Sequence, residues 1–316
     1  MGTPGGVIYQ HSFASEKARS LTGTNFFTLR KNSRLIGNIA FCRRDLADDN
    51  NENLTGYYIR YLSVMPSFRR NISHKKMDTA KKMVSKNHGI IKEHMENFFK
   101  NAEKYLSDKS ENKKYIFYAH IEDENQRSLM LSQNFGYQRI GWVETTIFTR
   151  VFPKKHKRIE QIHFGEHEKM KNLLGEFYKD HAMYHTQNLF YKNNYYVFKE
   201  KNEIIAGIQA NVITWKIKHM PGITGKMLLR ILPYIPFLSR MFNPGAFRFL
   251  AFEYLYIREG YEKSLTQFIE GVCALKKTHV GLIWTDIRQP IHKILAHYVY
   301  PGMIHKISKK MTAGIL

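Results

Sequence analysis

The stretch best suited to chemistry is Tyr57 to Arg69, Tyr-Tyr-Ile-Arg-Tyr-Leu-Ser-Val-Met-Pro-Ser-Phe-Arg. From Tyr57 to Val64 it is β-branched and aromatic, the composition of a strand. Pro66 ends the strand because it has no N–H to give. Arg69 and Arg70 follow at once. A strand end such as Leu62, Ser63 and Val64 can pair with an extended ligand arm. The basic turn behind it can offer N–H groups and guanidinium forks to phosphates. The competing reading is an ordinary central strand with a solvated turn. Metal chemistry is less well supported. His163 and His167, and His181 and His185, stand four apart on helical ground, with no third ligand in view. Exposed or capping histidines explain them, and no metal is expected.

The elements that must hold such a ligand follow from composition and order. With 316 residues the chain has room for two domains, and its net charge of +22 favours an anionic partner. A nucleotide-like cofactor, nucleic acid and an acidic membrane surface all qualify. Nucleic acid ranks last, since neither a recognition helix nor an aromatic RNA-binding motif is visible. Cys42 and Cys273 lie far apart and form no disulfide framework, which fits a reducing compartment. Met1 to Val7 lacks a charged start followed by an apolar core, so a cytoplasmic protein is expected, with a peripheral membrane location as an extension. The most apolar region, Met227 to Leu255, is broken by Arg230, Pro233, Pro236, Arg240 and Pro244 and does not read as a spanning helix.

In order, the pattern gives a hairpin around Lys31-Asn32-Ser33, an acidic loop at 45–55, the strand ending at Val64, and a basic insertion over about 70–87. A helix opens at Gly89, with Ile90, Ile91, Met95, Phe98, Phe99, Ala102 and Leu106 on one face. A buried strand from Tyr115, a short helix from Asn125 and a last hairpin reaching Arg150 complete the first half. The second half runs through a helix (166–184), a hairpin around Lys201-Asn202, an insertion (215–250), the strand Phe252 to Ile257, a helix, a strand, a helix and a final strand. The halves repeat. Lys31-Asn32 and Gly37 match Lys201-Asn202 and Gly207 at an offset of 170, and Arg60-Tyr61-Leu62 matches Glu253-Tyr254-Leu255 at 193. His120-Ile121 and Gly136 match Asp286-Ile287 and Gly302 at 166. Ordered matches with matching elements indicate an internal duplication.

Three passages resemble the GNAT family of acyl-CoA N-acyltransferases. Val64-Met65-Pro66-Ser67-Phe68-Arg69 resembles its strand and turn before the pyrophosphate loop. Asn125-Gln126-Arg127-Ser128-Leu129 with Phe135-Gly136-Tyr137 resembles its second motif, and the Lys-Asn turn with a downstream glycine is similar to its central hairpin. The resemblance implies an α+β fold: two GNAT-like domains in tandem, each a mixed sheet flanked by helices. The first spans 1–153, truncated at its N-terminus and carrying the 70–87 insertion; the second spans 154–316 and carries the 215–250 insertion. It further implies that two central strands of each sheet splay apart and that the pantetheine arm of acetyl-CoA or another acyl-CoA lies in the gap. The pyrophosphate would rest on N–H groups at the next helix start, and an amine, small or lipid-like, would attack the thioester with help from a general base.

Carried onto this chain, the resemblance assigns the cofactor to Leu62, Ser63, Val64, Arg69, Arg70, Lys86, Gly89, Ile90 and Asn125 in the first half, and to Ile257 and Gly260 in the second. The departures are specific. After Arg69 the chain reads Arg70-Asn71-Ile72-Ser73-His74, without the family's glycines, and Lys86-Asn87-His88-Gly89-Ile90 restores only the first. Arg258-Glu259-Gly260-Tyr261 places a carboxylate where a phosphate would go. The family's general-acid tyrosine falls at Ser132. Glu253 is the candidate general base, against a salt-bridged rim glutamate, and Asp286 would orient an amine or cap the following helix. These departures support a second reading, a catalytically degenerate binding module for an anionic membrane surface or a protein partner. The apolar and basic insertion 215–250 reads as packing, as a lid over an acyl or lipid-like substrate, or as a membrane contact.

Overall fold

The computed structural model describes residues 6–20, 23–47, 52–65, 96–106, 114–181, 183–302 and 311–315. Among them run thirteen strands: β1 (Ile8–His11), β2 (Thr24–Lys31), β3 (Arg34–Ala47), β4 (Asn53–Val64), β5 (Tyr115–Tyr118), β6 (His120–Glu122), β7 (Gly141–Thr149), β8 (Ile159–Gln161), β9 (Tyr195–Glu200), β10 (Glu203–His219), β11 (Phe247–Ile257), β12 (Val280–Asp286) and β13 (Met311–Ile315). The longer described helices are α1 (Ala14–Ser20), α2 (Gln126–Asn134), α3 (His167–Phe177), α4 (Gly222–Arg230), α5 (Leu265–Leu275) and α6 (Pro290–Tyr298). None is long and apolar enough to cross a membrane.

The chain forms two compact units, one of residues 20–120 and 127–138, the other of 1–19, 121–126 and 139–315. The smaller unit holds a four-stranded sheet in the order β2-β3-β4-β5, antiparallel except for the parallel pair β4 and β5. Its core is aromatic. Phe41, Tyr57 and Phe98 are buried, with Phe27, Phe99 and Phe117 packed around them. The larger unit holds a mixed sheet in the order β6-β13-β7-β12-β11-β10-β9-β8, with β1 on the far end of β10. The fold is thus a mixed α/β sheet flanked by helices.

Helix placement in the larger unit follows the sequence period. In α5, Leu265, Phe268, Ile269, Val272 and Cys273 recur at helical spacing and are buried on one sheet face, together with Ile291 and Leu295 of α6. Met170 and Leu174 of α3 bury against Tyr195, Val197, Ile204 and Tyr256 on the other. Both central hairpins turn on two residues with positive φ, Asn32 and Ser33 at 46° and 66°, Lys201 and Asn202 at 49° and 65°. That is the twist a tight antiparallel hairpin needs.

The last hairpin expected in the first half is instead a single strand, β7. It pairs antiparallel with β12 through Val280↔Thr149 and with β13 through Ala313↔Val143. Residues on this strand satisfy backbone groups at both edges of the larger sheet's interior, so a strand early in the chain completes a sheet built mostly from later ones.

Candidate functional site

Each sheet contains a parallel pair whose register stops partway along the longer strand. In the larger unit β11 and β12 pair only over Leu250–Phe252 with Gly281–Ile283. In the smaller, β4 and β5 pair over Thr55–Tyr58 with Tyr115–Tyr118. Beyond those points Glu253–Ile257 and Ile59–Val64 run on without a parallel neighbour. Each run contains a bulge in its antiparallel pairing and a left-handed tyrosine. Tyr254 has φ 52° where the register shifts between Gly207↔Tyr256 and Gln209↔Glu253. Tyr61 has φ 54° where it shifts between Asn38↔Ser63 and Ala40↔Arg60. The partners on the bulged strands are offset by 193 (60 to 253, 63 to 256), as the sequence match gave, and those opposite by 169 (38 to 207, 40 to 209), one less than the Lys-Asn match. Positive φ is costly for a residue with a bulky side chain, so the bulge must be held by its surroundings. A side chain does so in each sheet. Tyr195 Oη donates to the carbonyl of Tyr254 at 3.0 Å, and Asn38 Nδ2 donates to that of Tyr61 at 2.7 Å.

The larger unit's fork carries Glu253. It is exposed, and its Oε2 accepts from the amides of Gln209 at 3.2 Å and Asn211 at 3.1 Å. No lysine or arginine among the described residues pairs with it, so the rim salt bridge considered from sequence does not form. Two neutral donors fix the carboxylate without neutralising it, which suits proton acceptance. Gln209 is fully buried. It also donates to Asn188 O at 2.9 Å and accepts from Tyr191 N–H at 3.2 Å, tying loop 188–191 to the strands around Glu253. Tyr254 Oη lies 3.3 Å from His185 Nδ1. Tyr178 Oη donates to Leu255 O at 2.6 Å, so with Tyr254 O held by Tyr195 two consecutive backbone carbonyls in the fork are already engaged, and burial pushes the Tyr178 phenol above its ordinary range. Both ring nitrogens of His181, Tyr184 Oη and Gln187 Oε1 are shut from solvent with no hydrogen-bond partner among the described residues.

The helix mouth that follows β11 is occupied. Gly260, at φ 84°, donates its N–H to Glu262 Oε1 at 3.1 Å. Tyr261 N–H goes to Arg258 O, and Ser264 N–H to Tyr261 O. Arg258 pairs with Glu203 at 3.2 Å. A carboxylate thus takes an amide the family resemblance assigns to phosphate, and it is Glu262 rather than the Glu259 singled out from sequence. Ile257 presents its side chain to the core against α5, so any cofactor role is through its backbone. Asp286 does not cap α6, whose N-cap is Gln289. Its Oδ1 accepts from the N–H and Nε of Arg288, and its Oδ2 lies 2.8 Å from Arg288 Nη2. Burial raises this carboxyl, but the Arg288 hydrogen bonds outweigh burial and hold it below its usual range.

In the smaller unit, Leu62 and Ser63 are exposed at the end of β4, and Ser63 and Val64 stand opposite Asn38 and Gly37. Arg60 occupies the place of Glu253, with its guanidinium 5.5 Å from the Tyr58 ring and 5.1 Å from that of Tyr61. Tyr58 stacks on Tyr118 at 5.1 Å, and His120 closes the group. Burial, aided by Arg60, pushes His120 down to about 4. Ser132 Oγ donates to Leu129 O within α2 at 2.8 Å, so its hydroxyl is spent on its own helix. Asn125 N–H closes the turn before α2 on Glu122 O. Arg69, Arg70, Lys86, Gly89 and Ile90 lie outside the described residues.

Two residues were passed over in the sequence. Gln209 could have been noticed as a lone amide inside the apolar run Ile-Ile-Ala-Gly-Ile-Gln-Ala. Tyr298, at the end of α6, stands 166 residues after Ser132, the offset already in hand; the tyrosine missing from the first half is present in the second. The histidine pairs do not assemble. His167 stacks on Phe190 at 3.8 Å, while His163 groups with Glu160 and Glu166. The Lys199 ammonium lies among those carboxylates, 2.8 Å from Glu160 and 2.7 Å from Glu166, where a cation would sit.

A mixed sheet whose central parallel pairing stops short while one strand runs on through a bulge matches the GNAT fold. A solved structure shows the same fold. N-myristoyltransferase from Saccharomyces cerevisiae with bound myristoyl-CoA aligns with a TM-score of 0.50 at 9% identity, over 91% of this chain and 64% of that one. A GCN5-related N-acetyltransferase from Sphaerobacter thermophilus aligns at 0.49 and 10% identity, over 96% of this chain and 84% of the other. No family model matches the sequence, and no curated protein matches it. At these identities the likeness is one of fold.

Proposed function

We propose that this chain is a tandem GNAT-fold N-acyltransferase that moves an acetyl or longer acyl group from acyl-CoA to an amine, with the chemistry in the β11/β12 fork. The observation that carries the reading is Glu253, an unpaired carboxylate held by two neutral amides on the strand that parts from its parallel neighbour. Glu253 takes the proton of the amine. The amine nitrogen forms the new C–N bond, the thioester C–S bond breaks, and the departing thiolate takes a proton from a general acid, for which Tyr298 is the candidate by its 166-residue offset from Ser132. The pantetheine arm would follow Glu253 to Ile257. The shielded polar atoms of His181, Tyr184 and Gln187 suit a polar acceptor, since each gains a partner it lacks.

Calorimetric titration of the full chain with acetyl-CoA, myristoyl-CoA and CoA tests the cofactor. Saturable heat supports the proposal. No heat at millimolar ligand overturns it in favour of the degenerate binding module.

A further inference from the structure

Between β10 and β11 the chain leaves the sheet, and this excursion is uniform in charge. From residue 220 to 246 there are three Lys and Arg (Lys226, Arg230 and Arg240) and no Asp or Glu, although the chain as a whole has 27 acidic residues. Its base is anchored: Met241 and Phe249 are buried with Val280, and Trp215 stacks on Tyr9 at 3.9 Å. Its outer part is not. Ile223 is 85% exposed, Met227 56%, Tyr234 84% and Phe237 53%, and Phe152 from the neighbouring segment is 60% exposed. Packing within the unit therefore leaves these side chains uncovered.

The exposed rings are arranged. Phe237 and Phe152 meet edge to face at 5.6 Å, and Arg240 lies 5.5 and 5.7 Å from the two rings. Phe237 has φ 70°, a conformation that is unfavourable for phenylalanine, at a side chain that stays about half exposed. On α4, Lys226 and Arg230 flank Met227. Apolar tips flanked by cations, on an excursion without Asp or Glu of its own, fit a surface that is apolar inside and anionic outside. A protein partner with an acidic rim would need a hydrophobic pocket shaped to these tips; a bilayer needs only their projection.

We propose that residues 222–240, together with Phe152, form a docking foot for an anionic lipid bilayer. Ile223, Met227, Tyr234 and Phe237 enter the headgroup boundary while Lys226, Arg230 and Arg240 pair with lipid phosphates. The proposal is independent of the acyltransferase reading.

The test is co-sedimentation of the full chain with phosphatidylcholine vesicles, with and without phosphatidylglycerol. The protein should pellet with the anionic vesicles and be released by salt. Lys226→Gln with Arg230→Gln should lower partitioning about 25-fold, at roughly five-fold per basic residue. Tyr234→Ser with Phe237→Asn, which leaves the charge unchanged, should also lower it. Melting curves matching wild type show that both variants fold. Wild type left in the supernatant overturns the proposal, as does equal pelleting of all three proteins, which would assign binding to the overall charge. A dimer in sedimentation equilibrium that the Tyr234/Phe237 variant dissolves would mean a second copy covers the patch, and also overturns it.

Discussion

Replacing Glu262 with alanine should tighten CoA binding if the cofactor lies in the β11/β12 fork. The carboxylate accepts from Gly260 N–H at 3.1 Å and blocks the helix mouth from a pyrophosphate. Before phosphate can take that amide, a hydrogen bond to a charged group must break, worth about 1.5–3 kcal/mol when well formed. Gly260 is exposed, so screening trims this to about 1.5 kcal/mol. Residual repulsion between the displaced carboxylate and a diphosphate in water adds about 0.5–1 kcal/mol. The sum, about 2–2.5 kcal/mol, is a gain of roughly 30–60-fold in affinity. Calorimetry with CoA reads the gain, and pantetheine, which has no phosphate, should bind both proteins alike. Unchanged CoA affinity in Glu262→Ala, with binding weakened in Arg69→Ala, would refute the placement and move the cofactor to the first half.

Glu253→Gln keeps the hydrogen-bonded shape but cannot take a proton, and turnover should fall about 100-fold or more with CoA affinity unchanged; thiol release in a dye-coupled assay measures it once an acceptor is found, and loss of CoA binding instead would point to a structural role. His120 is held neutral in the folded protein, down to about 4 against an ordinary 6.5. The unfolded chain therefore binds more protons between those values, and stability should fall as pH drops through that window, by at most about 3 kcal/mol. Melts at neutral and mildly acidic pH should show the slope, and His120→Gln should flatten it. Gly207→Ala would place a methyl 2.6 Å from Tyr195 Oη and push that hydroxyl off the Tyr254 carbonyl. A loss of about 1–3 kcal/mol in a denaturant titration is expected, and a neutral result would show that the bulge does not depend on Tyr195.

Much of this was legible in the residues because it is local. The β-branched and aromatic composition of Tyr57 to Val64 specifies a strand, and the 193-residue offset pairs Arg60-Tyr61-Leu62 with Glu253-Tyr254-Leu255, but that each stretch carries a bulge came only from the pairing. The apolar spacing in α5 fixed which face it buries. Glu253 was legible as a carboxylate on a strand, but its partners were not, since Gln209 and Asn211 lie 44 and 42 residues away.

Tertiary structure decided what depends on distant groups meeting. Backbone pairing carries no side-chain code that says which strand fills a sheet position, so nothing in Gly141–Thr149 announced that it would lie between Val280–Asp286 and Met311–Ile315. Composition likewise marked 215–250 as apolar and basic, but only the fold buried Met241 and left Tyr234 in water. The sequence fixes which residues can do chemistry; burial and pairing across the chain determine which of them are left available to do it.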